Sequence, residues 1–338
     1  MRGVVIEAVG QLALTDVPET PLGEYEARTQ LVCASICNST DRKLVDGTFP
    51  GCTNFPALLG HEAVGKVIEV GAKVRNYRVG DLVIRPRQYY ENSEIDLEEY
   101  FGSFADRGKV TDQWARIDDG LVEPDELGHP QQVLPAGCDP AVGVMAITYK
   151  ETLSWMRRFS VGPETSVAVF GTGPVGVCFV LWAKYLGARQ TILVGRTESS
   201  IKRAAEYCEP DAIVNTLAGD VADRIRDVSG GRGVERVVEG VGDNRIIDWG
   251  LDCITENGLV GVYGVPPNNQ ESATHARDTR VRYITPDEAE VHAEFFRLVA
   301  EERIDPMQIA THRLPLSEIE RGFDALASRD AFKVLLDA

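Results

Sequence analysis

His61 and Glu62 place an imidazole and a carboxylate side by side, directly after Leu59-Gly60 and ahead of the apolar run Ala63 to Val70. Such a pair at the mouth of a strand offers the nitrogen and oxygen donors that hold a metal ion. A second reactive stretch is the polar turn Ser35-Ile36-Cys37-Asn38-Ser39-Thr40-Asp41, which brings together a thiol, hydroxyls and a carboxylate. Taken alone, Cys37 reads as a structural thiol. A third is Gly171-Thr172-Gly173-Pro174-Val175-Gly176. A GxGxxG pattern says little by itself. Here it follows the apolar strand Val167-Ala168-Val169-Phe170, opens the apolar helix Val175 to Leu186, and precedes a second strand, Thr191 to Val194. In that setting the glycines let backbone N–H groups approach a pyrophosphate, and the helix N-terminus offsets its charge.

The elements that must position these groups fall into two textures. Residues 1 to about 35 read as short strands broken by Pro18, Pro21 and Gly23, with Ala27 to Ala34 as a clear β run, and the pattern resumes at Val79 to Ile84 and at Gly102 to Asp106. That is the texture of a β-rich module. A Pro/Gly-containing connection over Asp118 to Pro135 leads to a helix over Val142 to Phe159. Beyond it, Ala212-Ile213-Val214, Val237-Val238-Glu239 and Leu259 to Gly264 read as strands with helical segments between them, which predicts a parallel, doubly wound sheet. Lys333-Val334-Leu335-Leu336 supplies a terminal strand.

The totals exclude several classes. A chain of 338 residues predicts two ordinary domains, and 43% hydrophobic with 26% charged residues is a globular composition. No uncharged apolar run reaches the length of about 18 residues that a membrane helix needs. The formal charge of −17 leaves no basic face for nucleic acid. Met1 to Glu7 reaches an acid too early for a secretory signal, and the 7 cysteines form no CxxC pair, so the expected compartment is a reducing cytoplasm. The basic residues are 27 Arg against 8 Lys, a bias that suits a high-salt cytoplasm and equally a GC-rich genome.

Over essentially its whole length the chain resembles the zinc-dependent medium-chain alcohol dehydrogenases. The matching pieces are Cys37 with Asp41, Gly60-His61-Glu62, the Val67 to Val83 run with Gly80-Asp81, Gly102-Ser103-Phe104-Ala105, the Gly171 to Gly176 turn, and the ending Phe332-Lys333-Val334-Leu335-Leu336. The resemblance implies a GroES-like catalytic domain (1–140), a Rossmann cofactor domain (141–275) and a return to the catalytic domain (276–338). It implies one catalytic zinc held by Cys37 and His61, with Asp41 orienting His61 and Glu62 supporting the site or exchanging onto the metal. The family's third ligand is a Cys, or a Glu followed by Pro. Gly137-Cys138-Asp139-Pro140 offers Asp139 or Cys138 for it, with Asp139 preferred and Glu151 a further candidate. Three residues separate Cys37 from Asp41 where the family has two, so the proton relay falls to Thr40 or to Ser39. Residues 84 to 104 contain none of the four cysteines that bind a second, structural zinc in many members.

The cofactor site is expected at Gly171, Gly173, Pro174, Val175 and Gly176, with Gly195, Arg196 and Lys202 at the ribose. An acid at the end of the second strand accepts the ribose hydroxyls of NAD, whereas a small residue followed by Arg accommodates the phosphate of NADP. Gly195-Arg196, with Lys202 nearby, favours NADP, although Arg196 stacking on adenine would not discriminate. The expected reaction is hydride transfer between an alcohol, polyol or sugar and nicotinamide. Arg42, Arg85, Arg87, Tyr89 and Tyr90 lie in segments that would border the cleft and suit a polyol, sugar or anionic alcohol, against the plainer reading of ordinary solvated surface. The competing readings are a zinc-free quinone or enone reductase of the same superfamily and a non-catalytic nucleotide-binding protein. Family habit implies a dimer or tetramer, with the Leu259 to Gly264 edge as its candidate interface.

Overall fold

The computed structural model describes residues 1–90, 96–123, 131–266, 275 and 277–338. They form two compact units, Met1–Ile147 with Glu288–Ala338, and Thr148–Asp287. The helix Pro140–Arg158 runs across the first boundary. The expected end of the cofactor domain, at 275/276, adjoins residues outside the described set.

The first unit is built on the strand Glu26–Ile36, whose alternating burial at its start becomes continuous burial at Cys33 to Ile36. It pairs antiparallel with Ala63–Val70, with Arg107–Thr111 and with the terminal strand Val334–Asp337. The last of these pairs parallel with His312–Pro315. Two register shifts, at Arg28/Thr29 and Leu31/Cys33, interrupt the ladder with Ala63–Val70; such bulges twist a strand and re-aim its side chains. A second sheet joins Gln11–Asp16, Arg2–Ala8, Ala57–Leu58 and Glu98–Glu99. Val4, Ile6, Ala34, Ile36, Leu59, Phe104, Phe323 and Val334 share one buried cluster, so both ends of the chain close over the same core.

The second unit is the doubly wound sheet. Among the described residues its order is Ala212–Asn215, Gln190–Gly195, Ser166–Phe170, Val234–Glu239, Ile254–Val262 and Val281–Tyr283, and every pairing is parallel. Ser166–Phe170 is buried at all five positions, as a strand covered on both faces must be. The helix Pro174–Tyr185 follows it directly, with Gly173 as N-cap and Pro174 in the first turn, where a missing N–H costs nothing. A Cβ on Gly176 would stand 1.9 Å from the Gly171 carbonyl oxygen, so only glycine lets the helix start this close to the strand.

The Leu259 to Gly264 segment is not an edge. Its strand, Ile254–Val262, lies between Val234–Glu239 and Val281–Tyr283, and among the described residues the latter is the edge. That three-residue strand is too short to announce itself in the sequence, and the expected interface edge is corrected accordingly.

Candidate active site

Cys37 stands one residue beyond the long strand Glu26–Ile36, and the turn after it is closed by Asp41, which is wholly buried. The spacing of the turn explains the arrangement. With three residues between them, the Asp41 N–H donates to the Cys37 carbonyl oxygen at 3.1 Å, as across one helical turn. The Asp41 carboxylate then bends back: Oδ2 accepts the Cys37 N–H at 2.8 Å and Oδ1 lies 2.9 Å from His61 Nδ1. A ring nitrogen held by a carboxylate fixes the imidazole's orientation and turns the other nitrogen toward a metal. The Thr40 N–H points to Cys37 Sγ at 3.5 Å, while Ser39 Oγ accepts from Lys43 Nζ at 3.0 Å on the exposed side.

His61 enters from the turn before Ala63–Val70. Gly60, at φ +106°, has the Phe104 ring packed where a Cβ would be, 2.3 Å away, so the turn tolerates no side chain before His61. From the other side, Arg85 donates through Nη1 to the His61 carbonyl oxygen at 3.1 Å and pairs through Nη2 with the buried Glu288 carboxylate at 2.7 Å. Arg85 adopts φ 54°, the left-handed region, at a cost of about 1–2 kcal/mol. Burial disfavours the charged form of His61, but the neighbouring Asp41 carboxylate outweighs it and its pKa lies well above the ordinary histidine range.

Glu62 is buried, and its Oε2 is held by Ser35 Oγ and by Lys333 Nζ. Burial works against its charge, yet the Lys333 ammonium, aided by His61, lowers its pKa to about 2. Lys333, itself 4% exposed, is pulled the same way: burial opposes its charge and Glu62 raises its pKa. Oε1 of Glu62 lies 3.9 Å from His61 Nε2.

Among the described residues, Cys37, His61 and Glu62 bring one ligand atom each to within 4.8 Å of one another. Two donors on a tetrahedral zinc with bonds of about 2.0–2.3 Å sit roughly 3.4 Å apart, so the three atoms need only a small adjustment to share one ion. Sulfur, nitrogen and oxygen with a fourth position open is the donor count of a catalytic zinc site. The residues present therefore fit the metal. Asp139 is not among the three: it is exposed, and its Oδ1 accepts the Ala141 N–H at 2.8 Å in the first turn of Pro140–Arg158. Cys138 lies beside it, its thiol pushed up to about 11 by burial and by the Asp139 charge, and Glu151 lies along the same helix, outside the three.

In the second unit, Gly171 and Gly173 precede the helix and Gly176 opens it, while Val175 lies in its first turn. Gly195 ends its strand, buried; Arg196 and Lys202 are exposed. A cavity of about 310 Å³ opens at the carboxyl ends of the strands Val234–Glu239, Ile254–Val262 and Val281–Tyr283, lined by Glu239, Asn244, Tyr263 and Thr285 among others. Ligands of doubly wound sheets bind outside those strand ends. Glu239 is buried, and Oε1 accepts the N–H groups of Val241 and Gly242 at 2.7 Å each. Burial raises its pKa although these donors pull the other way. Sequence reasoning passed over Glu239, Ser35 and Lys333; only the run of Gly240 and Gly242 after Glu239 hints at a carboxylate-closed turn.

A β-rich unit with a Cys/His/Glu donor set and a doubly wound unit with a glycine-rich first turn define a zinc-type, nucleotide-linked dehydrogenase architecture. Family models agree: the alcohol dehydrogenase GroES-like domain matches residues 23–116 and the zinc-binding dehydrogenase domain matches residues 174–299. The chain belongs to the zinc-dependent medium-chain alcohol dehydrogenase superfamily. It is 25% identical to an NADP-dependent isopropanol dehydrogenase of Thermoanaerobacter brockii over 100% of this chain and 96% of that one. It is 26% identical to an L-idonate 5-dehydrogenase of Vitis vinifera over 94% of this chain and 89% of the relative. The alcohol dehydrogenase TADH from Thermus sp. ATN1 shares the fold with a TM-score of 0.80, at 24% identity, covering 100% of this chain and 99% of that one.

The Lys333–Glu62 pair makes a direct prediction for stability. Lys333→Met strands a buried carboxylate and is expected to cost about 3–5 kcal/mol, while Lys333→Met with Glu62→Leu restores most of it. Urea unfolding of the two variants checks this; equal losses in both would contradict a buried, mutually compensating pair.

Proposed function

We propose that the protein is a zinc-dependent, NADP-linked dehydrogenase of alcohols, polyols or sugars, with Cys37, His61 and Glu62 as the protein ligands of a single zinc. The observation that carries this reading is the convergence of those three donors within 4.8 Å in one unit. Bound there, zinc would supply Lewis acidity toward an alcohol oxygen, and nicotinamide would supply the hydride acceptor. The chain's own residues do the rest. Asp41 keeps His61 Nδ1 occupied and so directs Nε2, and Thr40, whose N–H faces Cys37 Sγ, takes the hydroxyl proton outward through Oγ1 in preference to Ser39, whose Oγ is engaged by Lys43. Lys333 and Ser35 hold Glu62 Oε2, leaving its Oε1 on the side of His61.

NADP is favoured over NAD because no acid stands at the end of Gln190–Gly195. A Cβ on Gly195 would meet Thr172 and Ile201 side chains at 2.5 Å, so a larger residue has no room there, and the exposed Arg196 follows at once. Thr197 caps the next helix through the Ser200 N–H, which fixes the backbone on which Arg196 sits. The NADP-dependent relative from Thermoanaerobacter brockii supports this choice.

Cys37→Ala and His61→Ala are each expected to lose zinc and turnover together, from a wild type holding one zinc per chain by elemental analysis. Full activity in either variant would overturn the ligand assignment. Initial-rate kinetics with both coenzymes are expected to favour NADP, with Arg196→Ser removing most of the preference; a wild-type preference for NAD would contradict the role given to Arg196.

A further inference from the structure

Four basic side chains of the β-rich unit are compensated by carboxylates. Arg85 pairs with Glu288 at 2.7 Å, Lys333 with Glu62, Lys109 with Glu26 at 3.0 Å, and Arg42 with Asp46 at 3.1 Å. Arg87 is different. It is partly buried, and no carboxylate lies within ion-pair distance of it among the described residues. Its contacts are the face of the Phe101 ring, 5.8 Å from the guanidinium carbon, and the Tyr89 phenol beside it. Tyr90, by contrast, donates its hydroxyl to the Pro18 carbonyl oxygen and belongs to the core.

Phe101 ties Arg87 to the reaction centre. Its ring centroid lies 5.3 Å from that of His61, so the guanidinium and the imidazole both neighbour the same aromatic ring. Phe101 adopts φ 71°, a left-handed conformation that a bulky residue adopts only when its surroundings enforce it. A guanidinium stacked on a ring keeps its N–H edges available in one plane, the geometry that takes a carboxylate or phosphate through two parallel hydrogen bonds. In a chain of net charge −17 a partly buried cation with no carboxylate partner among the described residues is the group that would draw an anion there.

We propose that Arg87 is a specificity-determining residue that binds an oxyanion on the substrate, so that the protein acts on hydroxy acids or phosphorylated alcohols in preference to neutral ones. This rests on the dehydrogenase reading above and names the substrate class of that same site. The Phe101 ring, which both Arg87 and His61 neighbour, sets the spacing between the anionic group and the reacting carbinol.

The test compares matched pairs that differ in the charged group: glycerol against glycerate and glycerol 3-phosphate, threitol against threonate, and sorbitol against gluconate, each with both coenzymes. Zinc-loaded wild type is expected to favour an anionic member, carboxylate or phosphate being told apart by the glycerol series. Arg87→Met is expected to lower kcat/KM for that substrate ~100-fold, mainly through KM, as loss of a charge-assisted double hydrogen bond does, while a neutral partner changes less than about threefold. Arg87→Lys, which keeps the charge without the fork, is expected to fall between them. Zinc content and melting temperature of the variants show whether the fold and the metal site survive. A wild-type preference for the neutral members, or an anionic preference that persists in Arg87→Met, would overturn the proposal. If no alcohol is oxidised at all, the dehydrogenase reading fails separately. Calorimetric titration with the hydroxy acids still reads Arg87 then: binding weakened in Arg87→Met supports its role, and binding unchanged overturns it.

Discussion

The buried carboxylate of Glu62 is the constraint on which the β-rich unit turns. A single ionised group out of water is costly, and here it is offset by Lys333 Nζ and Ser35 Oγ on one oxygen. Each partner comes from a different stretch of chain: Ser35 from the long strand, Glu62 from the turn before Ala63–Val70, and Lys333 from the residue before the terminal strand. The backbone repeats the connection, with the Ser35 N–H donating to the Glu62 carbonyl oxygen at 2.9 Å. Because Cys37 lies two residues beyond Ser35 and His61 one before Glu62, satisfying this carboxylate also brings the thiol and the imidazole together.

His61 is then held from two sides by groups whose only work is positional. Asp41 meets its Nδ1, and Arg85, anchored on Glu288, meets its carbonyl oxygen. The left-handed backbone at Arg85 and at Phe101 falls on the two residues whose side chains touch His61 from outside the turn. Strain tolerated at a site and compensated by ion pairs around it is the usual signature of a preorganised constellation.

How much of this is readable from sequence depends on the distance over which each signal acts. The Gly171 to Gly176 turn is legible because strand, glycines and helix follow one another within a short stretch, and the parallel sheet follows from the alternation beyond it. Cys37 and His61 are legible as a pair only through the family resemblance. Lys333 is not legible as a partner of Glu62, since nothing local marks a lysine in a terminal apolar strand as the counter-ion of a residue so far away in sequence. Asp139 shows the opposite failure. An acid before Pro140 fits the family's ligand by position, but Asp-Pro is equally a helix start, and in the fold its carboxylate accepts a first-turn N–H. The strand Val281–Tyr283 escaped notice because a three-residue edge carries too little pattern to be distinguished from a loop.

The central claim is that the metal centre is made by Cys37, His61 and Glu62. Titration of metal-free protein with cobalt(II), followed by optical absorption, tests it directly, because a thiolate ligand gives a charge-transfer band and a four-coordinate ion gives intense visible bands. Asp139→Asn is expected to reproduce the wild-type spectrum and stoichiometry, whereas Glu62→Gln is expected to weaken binding and change the visible bands. A Glu62→Gln spectrum identical to wild type, with the bands lost in Asp139→Asn, would contradict the account.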